Sequence, residues 1–343
     1  MISFYNDYSQ LGHPEVMKDL LKYDEEVNIG YGNDRHYLNA VELIRKTIGR
    51  DDLDIHFVHG GTMVNVIAIK SMLKAYEGVI SCQSGHIISH ENGAIEATGH
   101  QIYQVPDENG KITVENLREA VKANSKEYSV SPRVVYISNA TEFGSVYTKR
   151  ELTEISRFCK EAGLYLYMDG ARLSTALASK YNDLSLKEIA NLADIFTIGG
   201  TKNGLLIGEA MVVCNPELNK GMRKLIKQRG AMLAKGYLMG IQFETMFKDN
   251  LYFEIGKKSV DMAVYLARIL EERGIKLYMR QESNLVFPIL DKDLIQVLCE
   301  DYMFEIEGDL DESHSLTRFV TTWSTSKDDI DKLGETIKAF YNK

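Results

Sequence analysis

The stretch IFTIGGTKNG, residues 195–204, is an apolar run that ends in two glycines, a threonine, a lysine and, two positions on, a third glycine. Its first four residues read as a buried strand. Lys202 then emerges just past the strand's C-terminal end, the edge at which open α/β sheets bind ligands. A solvated charge has little reason to stand there, and Gly199, Gly200 and Gly204 let something flat come close to the backbone. An amine in a partly desolvated pocket loses some of its preference for the ammonium form and becomes a nucleophile toward carbonyl compounds. Taken alone, the plainer reading, a lysine closing a tight turn, has precedence; residues upstream decide against it.

The stretch LYLYMDGAR, residues 164–172, is a second apolar strand, and it ends in Asp169 and Arg172 around Gly170, 33 positions before Lys202. The interval has room for one helical crossover, about residues 184–192. Strand, helix and strand make a right-handed βαβ unit, so Asp169 and Lys202 leave the sheet at the same edge. An aspartate alone at a strand end is a turn former or a helix cap. With a lysine beyond the next strand, it reads as the partner of a protonated pyridine nitrogen, the arrangement that a pyridoxal phosphate (PLP) site requires.

The rest of the composition sets bounds. At 343 residues the chain can hold a large core and a second, smaller domain. Apolar residues at 44% and charged residues at 26% are ordinary for a soluble globular protein. A net charge of -9, a pI near 5.5 and the lack of a basic stripe argue against a nucleic-acid surface. No run approaches a membrane span, and the opening residues lack the pattern of a signal peptide, so a cytoplasmic location is expected. Four scattered cysteines without a CxxC pair fit reduced thiols better than a disulfide frame or a zinc site.

Other motifs carry weight beside Lys202. In HGGTMVN, residues 59–65, a strand breaks at Gly60 and Gly61 and Thr62 begins a helix, an order that suits a phosphate because exposed amides and the helix dipole favour an anion. Capping alone gives many helices the same start. SGHIISHENGA, residues 84–94, places His86 and His90 four apart beside Glu91. A metal reading is open on a helix face, but the segment is β-branched and interrupted by glycine. A strand and loop that set His86 over a cofactor ring is preferred, with no metal. Residues 134–138 form a strand that runs into a polar loop at Asn139, Thr141 and Glu142. Helices are expected at 218–228, 240–256 and 260–273. Arg318, embedded in the strand pattern LTRFVTTW, is a candidate carboxylate clamp, or else a surface cation on an edge strand.

Taken together, NDYSQLGHPEV, HGGTMVN, SGHIISHENGA, ISNATEFG, MDGAR, TIGGTKNG and LTRFVTTW, in this order along nearly the whole chain, resemble the PLP-dependent threonine aldolase and β-eliminating lyase family. The resemblance implies fold type I: an α/β architecture with a mainly parallel seven-stranded sheet in a large domain, and a small C-terminal α+β domain. It suggests an arm at 1–15, a large domain at 16–245 and a small one at 246–343. By position, Lys202 is similar to the family's Schiff-base lysine, Asp169 to the pyridinium partner and Arg172 to the arginine near the cofactor's phenolic oxygen. His86 is similar to the histidine that stacks on the ring, Gly60, Gly61 and Thr62 to the phosphate loop, and Arg318 to the arginine that holds the substrate carboxylate. Asn6 and Thr141 stand near the substrate where relatives carry a serine and some a histidine. Leu233 stands where relatives keep a phosphate-binding arginine, which would leave that task to Lys235 or Arg229. The activity implied is cleavage of threonine or allo-threonine to glycine and acetaldehyde by a homodimer or homotetramer, with β-elimination or transamination of another amino acid as the alternative.

Overall fold

The apolar runs become the strands of one seven-stranded sheet in the computed structural model, which describes residues 1–342. The strands are β1 (Asp54–Val58), β2 (Glu77–Cys82), β3 (Ile102–Val105), β4 (Ser131–Ser138), β5 (Tyr165–Asp169), β6 (Ile195–Gly199) and β7 (Glu209–Val213). Their order is β1-β7-β6-β5-β4-β2-β3, and only β7 runs against its neighbours. Side chains alternate across the sheet: Ala210 and Val212 of β7 face one core, Met211 and Val213 the other. The first core is closed by the helices Arg35–Ile48, Lys149–Ala162 and Tyr237–Lys248, the second by Gly61–Met72 and Met222–Gln228. With both faces covered, the strands are buried throughout and read as unbroken apolar runs rather than alternating ones.

The crossover helices begin where the sequence supplies caps. Thr148 with Glu151, and Ser185 with Glu188, form capping boxes before Lys149–Ala162 and Leu186–Leu192. Because β1, β2, β4, β5 and β6 all point the same way, the loops at Gly60, His86, Glu142, Asp169 and Lys202 gather along one edge of the sheet. The two central loops come unusually close. A Cβ at Gly170 would lie 1.9 Å from the Thr197 carbonyl oxygen and one at Gly199 2.2 Å from that of Ala171. Their bareness lets the Gly199 N–H donate to the Gly170 carbonyl at 2.9 Å.

Several expected elements differ. The segment at 86–90, read as strand and loop, contains a short helix, His86–Ser89, because Gly85 starts a turn directly after β2. The basic helix expected at 218–228 is split into a 3-10 turn, Pro216–Asn219, and Met222–Gln228, with Gly221 between them at φ 80°. The break expected near residue 258 falls instead at Asn250, which takes φ 61°, so the helices are Tyr237–Lys248 and Leu251–Glu272. The first of these runs through position 245, where the sequence reading divides the chain. A further helix, Leu173–Ala178, follows Arg172.

The second body of the chain has its own core, built from Met262, Leu266 and Leu270 of the long helix, Leu294, Phe319, Ile330 and Leu333. Its central strand, His314–Val320, pairs on both flanks, so Arg318 does not lie on an edge. The N-terminal residues, expected as an arm, begin within this body: Ile2–Ser3 pairs in parallel with Tyr302–Met303, and Phe4 is fully buried against Phe319. The long helix Leu251–Glu272 joins the two cores, with Tyr252 and Ile255 in the first and Met262 onward in the second.

Gly256 sets how closely that helix meets Leu173–Ala178, since a Cβ there would lie 2.3 Å from the Ser174 carbonyl oxygen, a backbone atom that cannot rotate away. Gly256→Ala should therefore lower stability by about 1–3 kcal/mol through overpacking. Thermal unfolding checks this, and an unchanged melting temperature would mean that the two helices have room to part.

Candidate active site

Lys202 occupies a 3-10 turn, Thr201–Asn203, that is tied down on every side. The Asn203 side chain donates to the carbonyls of Ala171 (3.0 Å) and Gly199 (2.8 Å) and accepts from the Ser174 hydroxyl. Glu209, at the start of β7, accepts the Gly200 N–H at 2.7 Å. Burial lifts its carboxyl to about 7, against the pull of the Gly200 and Thr201 donors and of Lys202. The lysine amine, half-buried, makes no ion pair among the described residues.

Asp169 is buried at the end of β5 with three donors on its carboxylate. Tyr136 (2.7 Å) and Asn65 (3.1 Å) give to Oδ2, and the Ala171 N–H (2.9 Å) gives to Oδ1, which keeps a lone pair for a further donor. Asn65 is oriented by the Tyr167 hydroxyl at 2.6 Å and also donates to Glu91 at 2.9 Å. The one amide group thus holds the Glu91 and Asp169 carboxylates side by side. Burial, with the Asp169 charge added, pushes the phenols of Tyr136 and Tyr167 well up, so both stay neutral donors.

Arg172 is buried and forked on Asp7, Nε at 2.7 Å and Nη2 at 3.2 Å, while Asn284 donates to the same carboxylate at 3.1 Å. Burial alone would raise the Asp7 carboxyl, but Arg172 and then Lys202 hold it low. For Arg172 burial works the other way, and Asp7 and Glu142 keep the guanidinium charged. Glu142, from the loop after β4, stands 3.3 Å from His86 Nδ1, an ion-pair distance at an angle too poor for a hydrogen bond. Burial opposes the charge on both. For Glu142 the cations of His86, Arg172 and Lys202 overcome it and bring the carboxyl far below its usual range; for His86 the Glu142 carboxylate raises the imidazole.

The helix Gly61–Met72 opens toward this cluster without a side-chain cap. A Cβ on Gly60 or Gly61 would meet nothing within 4 Å, so the space beside the helix start is open, and its first amides have no acceptor within the helix. Buried polar atoms without partners collect in the same region: His59 Nδ1, His86 Nδ1, Glu91 Oε2, Asn139 Nδ2 and Arg318 Nε. An uncapped helix start, a lysine and a buried carboxylate fit the phosphate, aldehyde carbon and ring nitrogen of PLP.

Not every residue singled out in the sequence reaches this cluster in the expected way. Arg318 is paired with Glu305 and, at 3.2 Å, with Glu307 on the neighbouring strand. Thr141 was expected beside the substrate; its hydroxyl is instead buried and spent on the Asn109 carbonyl (3.1 Å) and Ser145 (2.9 Å), because the chain turns back at Gly144. Asn6 caps its own turn, accepting from the Tyr8 N–H and the Ser9 hydroxyl, and its neighbour Asp7 points inward. Leu233 packs on the main core, Lys235 is exposed, and Arg229 has a buried Nε without a partner. Sequence reasoning missed Asp7, Asn65 and Tyr136. Asn65 had a signal, a polar residue inside the apolar run VNVIAI; Asp7 and Tyr136 had none.

Comparison with known proteins agrees with this geometry. The model of the beta-eliminating lyase family matches residues 14–293. A low specificity L-threonine aldolase of a Pseudomonas species is 30% identical over 335 residues, 95% of this chain and 94% of that protein. The solved structure of a Leishmania major threonine aldolase superposes with a TM-score of 0.98 at 45% identity and covers 99% of both chains. A putative L-allo-threonine aldolase of Listeria monocytogenes, 18% identical with a TM-score of 0.75 over 97% of each chain, shares the fold. With the PLP-shaped edge of the sheet and the family match over most of its length, this chain belongs to the beta-eliminating lyases, on the fold of type I PLP enzymes.

Proposed function

We propose that the protein cleaves L-threonine and L-allo-threonine to glycine and acetaldehyde. The observation that carries this reading is the meeting of Lys202, Asp169 and the His86–Glu142 pair at one sheet edge, in a chain whose relatives are threonine aldolases. PLP, when bound, supplies an electron sink for the pair left on Cα when a bond to it breaks. The chain's own residues prepare that event. The amides at Gly60, Gly61 and Thr62 would hold the phosphate, and the Lys202 amine would hold the cofactor covalently. Asp169, with a lone pair left on Oδ1, would keep a proton at the ring nitrogen. Arg172 would bring positive charge to the phenolic oxygen, moderated by its fork on Asp7.

Substrate geometry falls to Arg318 and His86. Arg318, whose Nε has no partner while its two Nη atoms pair with Glu305 and Glu307, would hold the α-carboxylate through that free edge and so orient the substrate for Cα–Cβ cleavage. His86 accepts the β-hydroxyl proton, directly or through a water, and the Glu142 carboxylate beside it stabilises the imidazolium that forms. His86 would hold that proton in transit: the β-oxygen becomes the aldehyde oxygen as the Cα–Cβ bond breaks, and the proton passes back to Cα to give glycine. With the Thr141 hydroxyl spent on Asn109 and Ser145, the substrate's β-hydroxyl would be held less strictly, which supports acceptance of both epimers.

A homodimer or homotetramer is supported by the exposed apolar side chains that crowd one segment: Leu11 (70%), Leu21 (69%), Val27 (98%) and Ile29 (71%) lie within 19 residues of one another. Arg229, with its orphaned Nε, is a candidate to reach a neighbour's phosphate.

Three measurements check these statements. Incubated with either epimer, the wild type should release glycine and acetaldehyde, and Lys202→Ala should release neither and lose the borohydride-fixed cofactor from this residue. Pyruvate from another amino acid, or an adduct mapped to a different lysine, would replace the aldolase reading or its assignment. His86→Asn should lower kcat by about 100-fold, the lower range for loss of a general base, with cofactor affinity far less changed; a full rate would remove His86 from the reaction. Light scattering should show an oligomer, and an active monomer at high dilution would contradict the interface.

A further inference from the structure

His86, His90 and Glu142 each offer a ligand atom, and all three atoms lie within 4.8 Å of one another. The two histidines are four residues apart across the turn His86–Ser89, with parallel rings (3° between planes, centroids at 5.1 Å). His86 Nδ1 is buried without a hydrogen-bond partner and stands 3.3 Å from Glu142 Oε1. His90 Nδ1 pairs with the Ser89 hydroxyl at 2.6 Å, which leaves Nε2 free on an exposed ring. Glu142 arrives from a different loop, so the three donors converge from two elements. Glu91, the sequence neighbour of His90, takes no part, since its carboxylate is bonded to Asn65.

Two imidazole nitrogens and one carboxylate oxygen form a donor set of intermediate softness. It suits Zn2+, Co2+ or Ni2+ and is poorly matched to Mg2+ or Ca2+, which prefer all-oxygen shells. Bonds of about 2.0–2.2 Å require the donors to draw together by roughly 1 Å. The exposed His90 ring has the freedom to make that movement. Arg318 puts an opposing positive charge near His90, but Glu305 and Glu307 pair with it.

We propose that His86, His90 and Glu142 form a binding site for Zn2+ or a chemically similar divalent cation, and that filling the site stops threonine cleavage. Binding is coordination only: three lone pairs are donated, no covalent bond of the protein changes, and the fourth tetrahedral position is left to water. Inhibition follows because the His86 lone pair is then engaged by the metal and cannot receive the hydroxyl proton, and Glu142 can no longer stabilise an imidazolium. The inhibitory half of the proposal therefore rests on the base role given above to His86, whereas the site itself rests on geometry alone.

The test uses the PLP-loaded enzyme and its His90→Gln variant, an exposed substitution outside the reacting groups. Titration with CoCl2, read by visible absorption of the bound ion, and with ZnCl2, read by calorimetry, should show one metal per chain in the wild type. Micromolar free Zn2+ should suppress cleavage and EDTA should restore it. His90→Gln should keep the metal-free rate but need at least about tenfold more Zn2+ for half inhibition, the loss expected when one ligand of three is removed. Equal sensitivity of the variant, or no stoichiometric binding, would overturn the site. Stoichiometric binding that depends on His90 but leaves cleavage untouched would overturn the inhibition. If the metal-free wild type cleaves no threonine, the proposed function fails instead, and the cobalt spectrum still reports on the site.

Discussion

The working edge of this protein depends on a backbone contact that two missing side chains permit. The Gly199 N–H donates to the Gly170 carbonyl at 2.9 Å, and a methyl group on either glycine would run into the opposing backbone. This contact joins the ends of β5 and β6 just where their last regular hydrogen bonds stop. Asp169 lies one residue before it on one side and Lys202 three residues after it on the other. The backbone positions from which the two side chains start are thus set by a main-chain contact, a rigid base for positioning reactive groups.

Around that pair each buried charge meets either an opposite charge or, as for Asp169, neutral hydrogen-bond donors. Isolated charges are strongly disfavoured in the interior, and removing one partner of a buried pair is far more disruptive than never having built it. Asp7 answers Arg172, Glu142 answers His86, and Glu209, which faces main-chain donors, sits with its carboxyl near 7. The result is a basin in which Lys202 is surrounded by groups whose charges act on it from several directions, held by residues from the N-terminal segment, the β4 loop and β7. The N-terminal segment earns its place twice over, because Asp7 completes the site while Phe4, three residues earlier, is sealed into the other core.

The small body contributes its share through strand pairing. Glu305 lies directly across from Arg318, and a register shift between Ile306 and Gly308 leaves Glu307 as the extra residue, turned onto the same guanidinium. Bulges of this kind re-aim a side chain where a regular ladder could not. The long helix Leu251–Glu272 links this strand assembly to the main core, and so to Lys202, without a break.

Local patterns were enough to mark the strands that carry the site, since buried strands in a doubly covered sheet are unbroken apolar runs and their ends are flagged by glycine, aspartate and lysine. Lys202, Asp169, Arg172 and the glycines before Thr62 were legible for that reason. The helix breaks near Gly221 and Asn250 were not, because a single residue with positive φ interrupts a helix without changing its hydrophobic period. By itself, the sequence determined the α/β alternation, the strand ends and the kind of chemistry their residues could perform. Only the tertiary structure decided which side chains share a contact: that Asp7 and not Asn6 turns inward, that Glu142 and not Glu91 meets His86, and that the Thr141 hydroxyl is consumed by its own turn. Those outcomes depend on pairs up to 277 residues apart, Asp7 with Asn284 and, at 165 residues, with Arg172 among them, and no local period records a contact made across the sheet edge.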